Sequence, residues 1–319
     1  MVVPVATEQP IASRRQDADR GGECVLHTEV VLDGLYFGEG PRHGPDGRLY
    51  LSDFYAHEVL AVDLTTGASQ RVCQVPGQPS GLGWLPDGRL LVVSMLDRAV
   101  WRLEPDRRMV RHADLSSVAS FHTNDMLVDP RGRAYVGNFG FDLHTMVAQR
   151  GIEALLAPEA DPPGAALALI DPDGSVRVVA EDLKFPNGTV LLGEATLVVA
   201  ESLGLRLTAF DVAEDGTLHG RRVWADLRDN SIVPDGTCVD AEGGIWVAAA
   251  LENRAYRVTE GGKVTDAVHT SQRCYAVALT GADRRTLVCC TAPSSMSGEV
   301  AVERLGKLEA FRVAVPGVG

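Results

Sequence analysis

Between residues 45 and 315 the chain alternates short runs of aliphatic and β-branched residues with polar turns built on Asp-Gly or Gly-Gly. The runs recur in a fixed order. PDGRLYLSD (45–53) leads to EVLAVDLTTG, PDGRLLVVS (86–94) to AVWRLEPD, and PRGRAYVGN (130–138), after an insertion, to ALALIDPDG. EATLVVAES (194–202) leads to LTAFDVAEDG, EGGIWVAAA (242–250) to AYRVTEGG, and DRRTLVCCT (283–291) to KLEAFRVAV. Each copy reads as strands joined by hairpin turns, and six copies at a usual spacing of roughly 40 to 49 residues match four-stranded blades. The pattern predicts an all-β fold, a six-bladed β-propeller whose blades surround a central channel. A two-sheet sandwich also has many short strands, but it gives no reason for one phrase to recur in the same order. The segment CVLHTEVVL (24–32) is predicted to complete the last blade, so that the ring has no open edge.

One blade is longer than the others. The excess lies at FDLHTMVAQRGIEALLAPEADPPG (141–164), where Met146, Val147, Ile152, Leu155 and Leu156 fit one apolar face of a short helix. Long loops on a rigid scaffold form lids or specificity walls, and the alternative is an excursion packed on the blade's outer edge. The predicted organisation is a disordered tail over residues 1–22 and a single propeller over 23–319, carrying the insertion at 141–164.

Counting back eight residues from the turn position before each second strand gives Glu39, Ser80, Asn124, Asn187, Asp235 and Tyr275. These positions are equivalent, and they fall on or just before the innermost strand of each blade, the strand that lines the channel. Asn or Asp before Gly ordinarily just makes a turn. Here Glu39, Asn124, Asn187 and Asp235 share one blade register, so their oxygens are predicted to converge on the axis. Two carboxylates and two carboxamides suit a hard divalent cation, Ca²⁺ above all or Mg²⁺, with Mn²⁺ or Zn²⁺ as substitutes. The channel is therefore expected to contain a metal.

Composition narrows the partners. A net charge of −13 with no basic stripe argues against nucleic acid and anionic lipid. No apolar run approaches the roughly 18 to 20 residues of a membrane helix, and the arginines of the N-terminal segment follow its apolar start, the reverse of a secretory signal. Arginine outnumbers lysine 27 to 3, but the arginines are scattered through turns and strand edges. Cys24, Cys73, Cys238, Cys274, Cys289 and Cys290 contain no C-x-x-C pair and read as reduced core thiols, which points to a cytoplasmic protein. The remaining partner class is a small molecule.

The phrases GEGPRHGPDGRLYLSD, TNDMLVDPRGRAYVGN, FPNGTVL and VPDGTCVDAEGGIWVA together resemble the SMP-30/gluconolactonase/LRE family, over residues 30 to 315. The kin of that family include calcium-dependent lactonases and organophosphate-hydrolysing propellers. The resemblance implies that Glu39, Asn187 and Asp235 bind the metal directly, that Asn124 lies beside it as ligand or substrate contact, and that Asp235 is the general base. Sugar-lactone members often carry an arginine two residues before the first channel asparagine, and this chain has His122 there, a departure from the gluconolactone pattern. His122 reads as a second acid or base or as a polar rim residue. With Asn124 and Asp125 it makes up the expected substrate-binding set.

These parts suffice for a lactone hydrolase in which a cation polarises the carbonyl and Asp235 activates water. The chain has no G-x-S-x-G elbow, H-E-x-x-H or Walker loop. The same residues also suit isomerisation, elimination or cyclisation of a small carbonyl compound. A non-catalytic binding propeller with a structural ion is the third reading.

Overall fold

A computed structural model describes residues 16–18 and 24–318. Six four-stranded antiparallel sheets form the blades of a propeller, joined by one further two-stranded sheet. The first blade shows the plan: Gly38–His43 is innermost, followed outward by Leu49–Asp53, Glu58–Val62 and Ser69–Gln74. The other inner strands are Pro79–Trp84, Thr123–Val128, Pro186–Leu192, Pro234–Val239 and Arg273–Thr280.

Turn chemistry sets the hairpins. Gly47, Gly88 and Gly132 have φ of 83°, 84° and 81°, the left-handed conformation that a side chain disfavours. The Asp46 and Asp87 carboxylates each accept from a backbone N–H two residues on, that of Arg48 or Arg89, at 3.1 Å. The same carboxylates pair with the arginine side chains. Several of the scattered arginines therefore serve the turns they stand in.

The second strands Leu49–Asp53, Leu90–Ser94, Ala134–Asn138 and Ile245–Ala249 are buried at every residue. Each is covered by neighbouring blades on both faces, so its first residues form an apolar run rather than an alternation. Leu91, Val93 and Val100 of the second blade meet Met126 and Val136 of the third. Val198 and Leu207 of the fourth meet Val247 and Val258 of the fifth in the same way.

The ring closes with the N-terminal strand Glu29–Leu35, which pairs with Gly306–Arg312 at the outside of the sixth blade. The closing strand is thus shifted from the predicted 24–32. Cys24–Leu26 instead pairs with Gln16–Ala18, after His27 bridges to His269. Apart from Gln16–Ala18, the tail predicted at residues 1–22 lies outside the described residues. Cys73, Cys238, Cys274, Cys289 and Cys290 are free thiols. Among the described residues no helix is long and apolar enough to cross a membrane.

The insertion also differs from its expectation. It forms two helices, α1 (Leu143–Arg150) and α2 (Glu153–Leu156), rather than one. Asp142 caps α1 by accepting from the Thr145 N–H at 3.0 Å, and Gly151, at φ 78°, ends it.

Candidate active site

Glu39, Ser80, Asn124, Asn187 and Asp235 each occupy the second position of an inner strand, and Tyr275 the third of its own. At each of these places the ladder to the second strand slips by one residue, a β-bulge repeated round the ring. A bulge re-aims the side chains beside it. Directly after the site residue come Gly40, Gly81, Gly188 and Gly236, and the reason is space. A Cβ on Gly188 would lie 2.4 Å from the backbone nitrogen of Thr237 on the next inner strand. In the third blade Asp125 takes the glycine's place.

Glu39, Asn124, Asn187 and Asp235 are all buried, and all four form the floor of one cavity of about 290 Å³. The Ser80 hydroxyl donates to Asn124 Oδ1 at 3.4 Å, and Asn187 Nδ2 donates to Ser202 Oγ at 3.3 Å, so both carboxamides are held by their neighbours. Ser202 in turn donates to the Pro234 carbonyl at 2.6 Å, which commits that hydroxyl to the protein. Two second-strand acids brace the approaches to the floor. Asp53 accepts from the N–H groups of Tyr36 and Phe37, both at 3.0 Å, and Glu201 accepts from the Lys184 N–H at 2.7 Å.

Burial pushes the Glu39 carboxyl well above its ordinary value, and the charges of Asp235 and Asp125 add to the effect against the Gly40 N–H and Arg42. Burial likewise raises Asp235, helped by the charge of Asp125 and opposed by hydrogen bonds from Asn187 and Gly236. Asp125 does not line the cavity. Its carboxylate is held from below by Arg42 at 3.3 Å, and Arg42 also donates to the Met126 carbonyl at 2.8 Å. The structure thus brings together five of the six named site residues and sets Asp125 beneath them.

His122 is the fifth of these, lining the cavity half-buried. Its ring stacks on Phe121 at 4.0 Å and meets the edge of Phe139 at 5.9 Å. Burial lowers its pKa, with a further small push from His144, a lining residue of α1 that the sequence reading did not single out. Leu143 and Ile152 of the insertion line the same cavity, Leu155 is buried beneath it, and Met146, Val147 and Leu156 pack against its aromatic wall. The insertion is a wall of the pocket, not an outer-edge excursion.

The profile of the SMP-30/Gluconolactonase/LRE-like region matches residues 37–293, which include every residue of the floor. The chain belongs to the SMP-30/gluconolactonase/LRE-like family. A pentonolactonase of Haloferax volcanii is 28% identical over 226 residues, 69% of this chain and 69% of the relative. Regucalcin of Danio rerio is 27% identical over 188 residues, and the chain spans just over half of that relative's length, 56%. Among solved structures, a luciferin-regenerating enzyme aligns with a TM-score of 0.76 over 92% of this chain and 98% of its own, at 18% identity. A gluconolactonase of Xanthomonas campestris aligns with a TM-score of 0.67 over 90% and 89%, at 22% identity. These two likenesses establish the fold.

The floor of this SMP-30/gluconolactonase/LRE-like protein holds no cluster of three or more His, Cys, Asp or Glu, nor does any other place among the described residues. Two of its four residues are carboxamides. That donor set fits a hard oxygen-seeking cation and not a soft one. The charge balance agrees: two buried carboxylates face the cavity, and among the described residues no Lys or Arg lines it. The walls carry a regular sequence signal as well. Phe37, Phe185 and Val233 stand two residues before a floor residue, just ahead of the inner strand, as His122 does, and all four line the cavity. Phe54, Met95 and Phe139 each stand fifteen residues after a channel position, just past a second strand. His144, on the insertion, has no counterpart in the repeat and left no such signal.

Proposed function

We propose that this protein is a divalent-cation-dependent hydrolase that opens lactones. The observation carrying the reading is the convergence of Glu39, Asn124, Asn187 and Asp235 on the floor of one pocket. A pentonolactonase among the relatives supports the reaction class. A relative named regucalcin, and a solved regucalcin of Agrobacterium tumefaciens described as a calcium-binding protein, support Ca²⁺ as the ion.

Glu39, Asn187 and Asp235 would hold the ion, with Asn124 as a further ligand or a contact to the substrate. Bound there, a divalent ion supplies Lewis acidity toward a carbonyl oxygen. Asp235 takes a proton from water as the water oxygen bonds to the lactone carbonyl carbon. The ring C–O bond then breaks and the leaving oxygen takes that proton back, so one water is consumed and a hydroxy acid is released. Asn124 and Asn187 orient through amide groups that have no useful basicity. The aromatic walls keep bulk water from the reacting carbonyl.

The test is a pH-stat assay on a panel of five- and six-membered lactones. Exhaustive chelation should abolish acid release, and Ca²⁺, Mg²⁺ or Mn²⁺ should restore it. Full turnover in verified metal-free protein overturns the cation's role, and no release from any lactone by cation-loaded protein overturns the hydrolase.

A further inference from the structure

The walls of the pocket specify more of the substrate than the floor does. Phe37, Phe54, Phe139, Phe185, Tyr275 and Met95 surround the space above the floor. The rings brace one another, with centroids 4.7 Å apart for Phe37 and Tyr275 and 4.6 Å for Phe139 and Phe185. Helix α1 contributes Leu143 and the following turn Ile152. Among the described residues no Arg or Lys enters the lining, and the Ser202 hydroxyl is already donated to the Pro234 carbonyl.

Outside the floor, Ser202 and the tyrosines, the polar side chains of the lining are Gln78, His122, His144, Ser295 and Ser297, fewer than the apolar ones, so a polyhydroxylated ring placed here would bury several hydroxyls against rings and alkyl groups, each losing water without gaining a partner. An alkyl or aryl group in the same space gains by leaving water and meets aromatic faces on several sides. A cavity of about 290 Å³ lies at the small end of ligand sites, the size for one ring with a short side chain.

We propose that the pocket selects lactones bearing an aliphatic or aryl substituent, with the ester on the polar floor and the substituent inside the aromatic cage. This deepens the lactonase reading and rests on it. The bond changes are those given above; only the group carried by the ring is specified further.

The cation-loaded protein is assayed on δ-decalactone and on δ-gluconolactone, each corrected for spontaneous opening. In parallel, calorimetry measures binding of the pentyl-substituted δ-lactam and of a polyhydroxylated δ-lactam, whose amides resist this hydrolysis. The expected result is a kcat/KM at least about 10²-fold higher for δ-decalactone, the scale that pocket contacts to a side chain supply. The pentyl lactam should bind and the polyhydroxylated one should bind more weakly. Phe139→Ser should lower the ratio of the two kcat/KM values by about 10-fold, the effect of losing one wall of an apolar pocket. A preference for δ-gluconolactone, or tighter binding of the polyhydroxylated lactam, overturns the proposal and leaves the lactonase reading standing. Pentyl-lactam binding with neither lactone opened supports the apolar pocket and sinks the lactonase reading. Absence of both binding and opening overturns both.

Discussion

Two isosteric exchanges separate the roles of the floor residues. Asp235→Asn keeps an oxygen ligand of nearly the same shape but removes the proposed base, so kcat should fall by about 10² to 10⁴ at saturating cation, the usual contribution of general-base catalysis. Asn187→Asp adds a charge beside the ion and should tighten cation binding with a smaller loss in kcat. Steady-state rates and cation titrations of both variants decide it, and a near wild-type rate for Asp235→Asn moves the base to another residue. Glu201 gives a test of stability instead. Burial raises its pKa, but Arg206, the Lys184 N–H and Thr208 outweigh burial and hold it below the ordinary 4.5. A carboxylate depressed in the folded state stabilises the fold above its unfolded pKa and loses that contribution as pH falls through the folded value. Glu201→Gln should therefore cost about 1.5 to 3 kcal/mol at neutral pH, the range for hydrogen bonds to a charged group. Denaturant melts should show that gap closing as pH drops below 4.5; a gap that is constant with pH would mean that the charge contributes nothing. The floor residues were legible in the sequence because they repeat in register. The placement of Asp125, expected to contact substrate, was not, since its neighbour Asn124 carries the register and nothing in the pattern shows that a residue in the glycine position turns toward Arg42.

At the level of elements, legibility followed burial. Second strands such as Leu90–Ser94 lie between two blades and are buried throughout, with an apolar run up to their last residue, so each recurring phrase marked one. Outermost strands such as Ser69–Gln74 and Leu218–Asp226 are exposed at most positions, and their polar sequences carry no pattern to read. The insertion was recognised as helical but drawn as one helix, because its apolar residues continue through Gly151 while the backbone does not. Its position over the pocket leads to a kinetic prediction. Leu143, His144 and Ile152 line the cavity from a segment that belongs to no blade, so replacing residues 141–164 by a short Gly-Ser turn should spare the blade ladders. Thermal melts should show a folded ring and calorimetry a retained cation, while KM across a lactone panel rises or the order of preference changes. Unchanged kinetics on every substrate would reduce the insertion to decoration.

For the whole molecule, one closure of the ring lies at the outside, and the proposed cation would add a second at the axis. At the outside, Glu29–Leu35 completes the sixth blade with residues from the far end of the chain, pairing Leu35 with Gly306 and Glu29 with Ala310. At the axis, the floor draws Glu39 from the first blade, Asn124 from the third, Asn187 from the fourth and Asp235 from the fifth. A cation held there ties together elements about 200 residues apart in the chain, Glu39 to Asp235. The unfolded chain offers no such assembled set, so on the proposed reading an ion would bind the folded state alone and stabilise it by mass action. At a free concentration 100 times Kd that contribution is about 2.7 kcal/mol, and for a chain of this size it should raise Tm by several degrees. The measurement needs no substrate. Thermal scans of chelated protein against a Ca²⁺ series should show Tm climbing with the logarithm of concentration once the site fills. In Asp235→Ala, which removes a carboxylate from the floor, the climb should begin only at much higher Ca²⁺. A Tm that rises equally in wild type and Asp235→Ala would place the stabilising ion elsewhere on an acidic surface, and the axial site would lose its cation.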